Sequence, residues 1–328
     1  GSNIADYLIK PVKPSQILLS LKRNLDNRKL SEEKATMSYQ QQFRQISMRM
    51  MEQMDYSDWV DIYKELVAFE IKLEKSDDEG IIEVLNMQKK EANSNFVKFY
   101  QKHYKDWLTG QAENKPVLSH TLIKEKVIPI LDTNKKVFLL LIDNLRFDQW
   151  KAIQPIIEQY FRVKNDSVYY SILPTTTQYA RNALFSGLMP NEIKKRFPQY
   201  WKEEDEEGSK NQFEEELLMQ QLKMNGRNIK VSYNKVLNLN AGKKLFENIS
   251  NLTENDLNVI VYNFVDMLSH ARTEMEIIRE LADDESAYRS LMVSWFEHSS
   301  LFDIIKYLSS QQVELIITTD HGSIRVQD

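Results

Sequence analysis

Val313-Glu-Leu-Ile-Ile-Thr-Thr-Asp-His-Gly322 is an apolar, β-branched run that closes on an acid, an imidazole and a glycine. Such a run, bounded by polar residues, predicts a buried strand. Side chains alternate along a strand, so Asp320 and His321 can face one point only if the strand stops there. Gly322 permits that turn. A carboxylate and an imidazole at a strand's carboxyl end lie where an open α/β sheet places its chemistry, and both are zinc ligands. An Asp-His-Gly turn can also be a simple capped loop, so the remaining strand ends decide its meaning.

Working outward, residues 137–142 (Val-Phe-Leu-Leu-Leu-Ile) form a continuous apolar strand, as expected in a parallel sheet covered on both faces. It leads to Asp143-Asn-Leu-Arg146 and then to helical sequence through Tyr160. Residues 168–171 read as a second strand, followed by Pro174-Thr-Thr-Thr177 and a helix over 178–185. Residues 229–233 and 259–262 read as a third and a fourth, the latter delivering Asp266, and one helix over 287–309 precedes the final strand. Strands alternating with helices predict an α/β fold with a mostly parallel sheet.

The polar groups at these strand ends are Asp143, the hydroxyls of Thr175, Thr176 and Thr177, the pair Asp266 and His270, and the pair Asp320 and His321. Spaced four apart, Asp266 and His270 share one helical face and can share a metal. The threonines precede a helix N-terminus, which favours anions. Three carboxylates, two imidazoles and a hydroxyl on one sheet edge suit two Zn²⁺ ions, which remove the mutual repulsion of the acids. Parallel strands also end in polar residues for structural reasons alone. The acidic runs at 203–207 and 214–216 read as solvated surface.

Toward the N-terminus the period changes. From residue 28 to about 107 apolar residues recur at three- and four-residue steps: Phe43, Ile46, Met50 and Met54, then Trp59, Ile62, Leu66, Phe69 and Leu73, then Phe96, Tyr100, His103 and Trp107. This coiled-coil-like seam predicts packed or self-associating helices, with Ser57 and Asp77 as caps and His103 as a buried structural histidine. Residues 1–27 hold one strand, Asp6-Tyr-Leu-Ile-Lys-Pro11, and one amphipathic helix capped by Ser15, with Ile17, Leu18, Leu21 and Leu25 on its apolar face. One strand and one helix cannot close a core, so this segment reads as the last unit of a domain that begins upstream. The expected organisation is therefore 1–27, a helical connector over 28–115, and an α/β domain over 116–328.

Composition bounds the rest. With no cysteine, thiolate metal sites and disulfides are excluded, and a reducing compartment fits best. No apolar run approaches the length that spans a bilayer and no secretory signal opens the chain, so a cytoplasmic protein without membrane attachment is expected. A net charge of −5 gives no general attraction to nucleic acid.

The order Asp143, Thr, Asp266-x-x-x-His270, Asp320-His321-Gly322 is the layout of the alkaline phosphatase superfamily. More narrowly, Asp143-Asn-Leu-Arg-Phe-Asp148 and Pro174-Thr-Thr-Thr-Gln-Tyr-Ala-Arg-Asn-Ala-Leu-Phe-Ser-Gly187 resemble the PglZ domain. Asp6-Tyr-Leu-Ile-Lys-Pro11 resembles the final strand of a response-regulator receiver domain, whose lysine contacts the phosphorylated aspartate; here that is Lys10. Together they resemble PorX-type response regulators, which carry a PglZ output domain. By that resemblance Asp143, Asp320, His321 and a threonine oxygen would hold the first zinc. Asp266 and His270 would hold the second, with one further histidine that the family places downstream of Asp328. Family spacing from Ser186-Gly187 points to Thr177 as the nucleophile, with Thr176 selected by a slip of one; water would then hydrolyse a phosphothreonine. The resemblance implies a sensor histidine kinase as partner, a homodimer on phosphorylation, and a transcription or secretion regulator linked to type IX secretion. Arg146 can clamp a phosphate or form a salt bridge on a helix surface. Phosphodiesters, with one negative charge, need fewer cations than monoesters, so a zinc-dependent phosphodiesterase acting on nucleotides or oligonucleotides is expected. The competing expectation is a non-catalytic output module that zinc stabilises for protein interaction.

Overall fold

The computed structural model of the chain describes residues 14–324 apart from 75, 77 and 204. Lys10, Pro11 and the expected cap Asp77 lie outside the described residues. The chain divides into two compact units, Gly1–Lys115 and Pro116–Asp328.

In the first unit the three/four spacing produces three long helices: α1 (Pro14–Arg49), α2 (Tyr56–Leu73) and α3 (Glu79–Thr109). The seam residues Ile46, Met50, Trp59, Ile62, Leu66, Phe69 and Leu73 form one buried cluster with Ile81, Leu85 and Ala92. A small hydrogen-bonded group centred on Gln88 lies beside it. Tyr39 donates to Gln88 Oε1 at 2.9 Å, while the Gln88 amide donates to the Phe43 carbonyl and the Ser47 hydroxyl at 3.0 Å each. A buried amide requires such partners. The α2 cap is Asp55, which accepts from the Ser57 and Asp58 backbone amides, so Ser57 lies inside the first turn. Asp78 caps α3 by accepting from Ile81 N. His103 is half-buried, tilted against the Phe99 ring at 4.7 Å and stacked on that of Trp107 at 6.2 Å. Helix α1 runs unbroken across positions 27 and 28, and Ser15 falls within its first turn. Its residues Ile17, Leu18, Leu21 and Leu25 are exposed.

The second unit is α/β. Its elements, in order, are α4 (Ile128–Leu131), β1 (Lys136–Ile142), α5 (Phe147–Ile157), α6 (Thr177–Ser186), α7 (Pro190–Arg196), α8 (Glu214–Met224), β2 (Val231–Val236), α9 (Leu239–Leu252), β3 (Leu257–Tyr262), α10 (Phe264–Glu274), α11 (Glu276–Leu281), α12 (Glu285–Glu297), α13 (Ser300–Ser309) and β4 (Val313–Thr318). The four strands form one sheet in the order β2-β3-β1-β4, every pair parallel. Period-2 alternation of β1 splits the core. Phe138, Leu140 and Ile142 pack on one face with residues of α5, α9, α12 and α13. Val137, Leu139 and Leu141 pack on the other with Leu184 and Phe185 of α6 and Leu217, Leu218 and Leu222 of α8. A strand buried on both faces has no polar side, which explains its unbroken apolar sequence.

In the second unit three expectations are corrected. Residues 168–171 form no strand; Tyr170 makes one isolated bridge to Leu118. The expected helix over 287–309 is two, because Ser299 interrupts it and caps α13 by accepting from Phe302 N. Glu214 is not solvated surface but 1% exposed, although Glu215 and Glu216 are exposed. Among the described residues, no helix is long and apolar enough to cross a membrane.

Candidate metal centre and nucleophile

Because β1 lies between β3 and β4, the residue that follows it stands at the middle of the sheet's carboxyl edge. Asp143 is that residue, and its amide donates to the Tyr262 carbonyl of β3 at 2.8 Å. Asn144 then adopts φ 61°, the left-handed region that asparagine tolerates better than most residues. This bend turns the chain toward both neighbouring strand ends. The Asn144 amide donates to Asp320 Oδ1 at 3.4 Å, and its side chain donates to Asp266 Oδ1 at 3.5 Å. Leu145 N donates to Thr319 Oγ1 at 3.1 Å, and that hydroxyl donates to the His321 carbonyl at 2.7 Å. The segment expected to be a strand acts as a brace instead, with Tyr169 donating to the carbonyls of Thr319 (2.5 Å) and Asp320 (3.1 Å). The turn after β4 is thereby held from two sides.

Asp143, Asp320 and His321 each offer one ligand atom, and these atoms lie within 4.8 Å of one another. His321 Nε2 is 3.4 Å from Asp143 Oδ1 and 3.9 Å from Asp320 Oδ2. Thr177 Oγ1 lies 2.8 Å from the same Nε2. Thr177 is the first residue of α6, whereas Thr176 precedes the helix, is exposed, and makes no side-chain capping bond. Asp143 and Asp320 are almost fully buried, and Asp143 Oδ1 and Asp320 Oδ2 have no hydrogen-bond partner. A buried, unsatisfied carboxylate oxygen is costly unless a cation meets it. The His321 Nδ1–H donates to the Gly322 carbonyl at 3.1 Å, which presents Nε2 outward as a ligand atom. Two orphaned carboxylate oxygens, an oriented imidazole nitrogen and a hydroxyl fit zinc in type and number.

Electrostatics agree with that fit. Burial lifts the Asp320 carboxyl to about 6 against the opposing charge of Arg181. Burial also pushes Asp143 up, but the His321 imidazole close to it and the Arg181 guanidinium hold it below the usual carboxylate range. Burial alone would lower His321; the Asp143 carboxylate 3.4 Å away and the charge of Asp320 raise it to about 9.

Asp266 and His270, one turn apart on α10, stand 3.6 Å apart, and the His270 side chain is 68% exposed. They do not share the tight cluster of the other three. Burial, then the charge of Asp143, raise the Asp266 carboxyl. Of the two expectations for Arg146, the structure shows the salt bridge. Its guanidinium is engaged by Asp148 at 2.8 and 3.0 Å and by Glu285 at 2.5 Å, and it is mostly buried rather than on a helix surface.

The sequence assigned no role to Arg181 or Asn144 and placed Glu214 on the surface. Arg181 Nη1 donates to Asp143 Oδ2 at 2.7 Å and Nε to Glu214 Oε1 at 2.6 Å. The available signal was a charged residue on the apolar face of α6, flanked by Ala180 and Ala183.

Comparison with known families fits this geometry. A family model described as BREX system PglZ alkaline phosphatase-like domain matches residues 122–328. The chain belongs to the PglZ family. Residues 29–108 match a second model, the PorX response regulator linker domain, over helices α1 to α3. The PglZ match together with this linker indicates a response regulator with a phosphoesterase-like output. No curated protein matches the chain.

Proposed function

We propose that the PglZ domain, residues 116–328, is a zinc-dependent phosphodiesterase with Thr177 as nucleophile. The observation that carries this is the convergence of Thr177 Oγ1, His321 Nε2 and two unpartnered carboxylate oxygens, from Asp143 and Asp320, on one sheet edge. Zinc bound there would make the Thr177 hydroxyl a usable nucleophile at neutral pH and screen charge on the attacked phosphate. Thr177 Oγ1 gives up its proton to solvent and forms a bond to phosphorus as the bond from phosphorus to the ester oxygen breaks, the released oxygen taking a proton from water. A second water then attacks phosphorus, breaks the phosphothreonine bond and returns a proton to Oγ1. The N-terminus of α6 faces the phosphate with backbone N–H groups. Asp266 and His270 are the start of a second ligand set.

Both arginines tied to this edge are already paired, Arg146 with Asp148 and Glu285, and Arg181 with Asp143 and Glu214. Neither is free to neutralise the second charge of a phosphomonoester dianion, which favours diesters such as the internucleotide linkages of oligonucleotides. Upstream, the connector would carry the state of a receiver domain that a sensor histidine kinase phosphorylates. A phosphorylation-induced homodimer and a secretion or transcription regulator as partner belong to the same reading.

The test is hydrolysis of bis(p-nitrophenyl) phosphate and p-nitrophenyl phosphate by the full-length protein. The diester should turn over, the monoester far more slowly. Chelation should stop both rates and zinc restore them, and Asp320→Ala should lose about one equivalent of zinc. A zinc-loaded protein that cleaves neither ester would instead be an output module that acts by binding.

A further inference from the structure

Arg181 is an expensive residue to place where it lies. Its side chain is 2% exposed, on a helix face otherwise given to Leu184 and Phe185. A guanidinium there must be paired and hydrogen-bonded. It meets Asp143 Oδ2 at 2.7 Å, Glu214 Oε1 at 2.6 Å and, more distantly, Asp320 Oδ2 at 3.8 Å. Glu214 is itself anchored by the Tyr233 hydroxyl and by Lys235 Nζ at 3.2 Å, both on β2. Lys235 also donates to the Asn211 carbonyl, and the Asn211 side chain donates to the Thr177 carbonyl at 3.1 Å. The far end of the clamp is therefore fixed to the sheet.

Two geometric facts give this clamp a consequence. First, Arg181 takes Oδ2 of Asp143 and leaves Oδ1 facing His321 Nε2 at 3.4 Å, so the guanidinium sets the rotation of the carboxylate. Second, Thr177 lies four residues before Arg181, on the same face of α6 one turn away. Holding Arg181 between Asp143 and Glu214 holds α6 in axial register, and that register brings Thr177 Oγ1 to 2.8 Å from His321 Nε2.

Resting on the phosphodiesterase reading, we propose that Arg181 is a positioning residue that aligns the nucleophile Thr177 and the metal ligand Asp143 with each other through one buried guanidinium. It does not bind substrate, since Asp143 and Glu214 consume its charge. A lysine cannot replace it, because one ammonium cannot span two carboxylates as the planar fork does.

The experiment compares Arg181→Lys and the double variant Arg181→Gln/Glu214→Gln with the parent, all as full-length protein. The readouts are zinc affinity by competition with a chromophoric chelator, and kcat and KM on bis(p-nitrophenyl) phosphate. The double variant removes both buried charges together, so neither is stranded if Arg181→Lys fails to fold. Each variant should lose roughly 10–100-fold in zinc affinity and in kcat, the scale seen for residues that orient metal ligands. KM should stay within about twofold. Full zinc affinity and kcat in the double variant would overturn the proposal, since Arg181 would then only neutralise Glu214. A raised KM with unchanged kcat would overturn it as well, by making Arg181 a substrate contact. A parent that binds zinc but cleaves no diester contradicts the phosphodiesterase reading alone, and the zinc measurement still decides on Arg181. A parent that binds no zinc overturns both.

Discussion

Asp148 shows how single residues hold this site in place. Its carboxylate accepts from Arg146 at 2.8 and 3.0 Å and from Arg289 at 2.8 Å, joining the loop after β1 to α12. Burial pushes its carboxyl up, but the hydrogen bond and charge of Arg146, then those of Arg289, outweigh that and hold it below the usual carboxylate range. A folded-state value below the unfolded value of about 3.9 adds stability that is present above that pH. That stability is lost as pH falls through the lower, folded value. Asp148→Asn should therefore cost about 3 kcal/mol at pH 7, the scale for removing one partner of a buried pair. The difference from the parent should shrink as pH falls below about 3.9 in urea unfolding; a pH-independent difference would contradict this assignment. Asp148 was visible in the sequence only as part of a motif. Asp143, Asp320 and His321 were legible because carboxylates and imidazoles at the ends of apolar runs are conspicuous. Arg181 and Glu214 were not, because burial of a charge depends on what the rest of the chain packs around it. Glu214, beside two exposed glutamates, reads as surface until Arg181 is seen against it.

At the scale of elements, periodicity carried the reading where one pattern extends over many residues. The seam of the first unit became a buried cluster on α1, α2 and α3, and four apolar runs became the parallel sheet. It failed at 168–171, where Val-Tyr-Tyr-Ser has strand propensity but no neighbour to pair along; its hydroxyls instead fasten the turn after β4. It also ran α12 and α13 together, because apolar spacing continues across the Ser299 cap. The packing of the first unit makes a separable prediction. Leu66 and Phe69 are both buried in its cluster, and a charge there has no partner. Leu66→Glu/Phe69→Glu should cost several kcal/mol locally, by analogy with large-to-small core changes of about 3–5 kcal/mol. Limited proteolysis should then cut α1 to α3 early while elemental analysis finds zinc unchanged. Zinc loss with the three helices still protected would place metal-supporting residues in the connector.

On the scale of the whole molecule, the two units separate two roles: a helical linker matched by the PorX response regulator linker domain, and a parallel α/β unit matched by the PglZ domain. The cluster of metal-ligand type in the described residues lies in the second unit, and so does the hydroxyl beside it. The central claim is that Thr177, rather than Thr176, is the group that chemistry in this unit runs through. Thr177→Val keeps the branched shape at the start of α6 and removes the oxygen that faces His321. Thr176→Val alters an exposed side chain with no capping bond. The deciding measurement is zinc-dependent hydrolysis of bis(p-nitrophenyl) phosphate by full-length Thr177→Val and Thr176→Val. The expected result is a loss of about 1000-fold or more for the first, as for other deleted nucleophiles, and a rate within a few-fold of the parent for the second. The reverse pattern, or two variants that both retain the parent's rate, would contradict it.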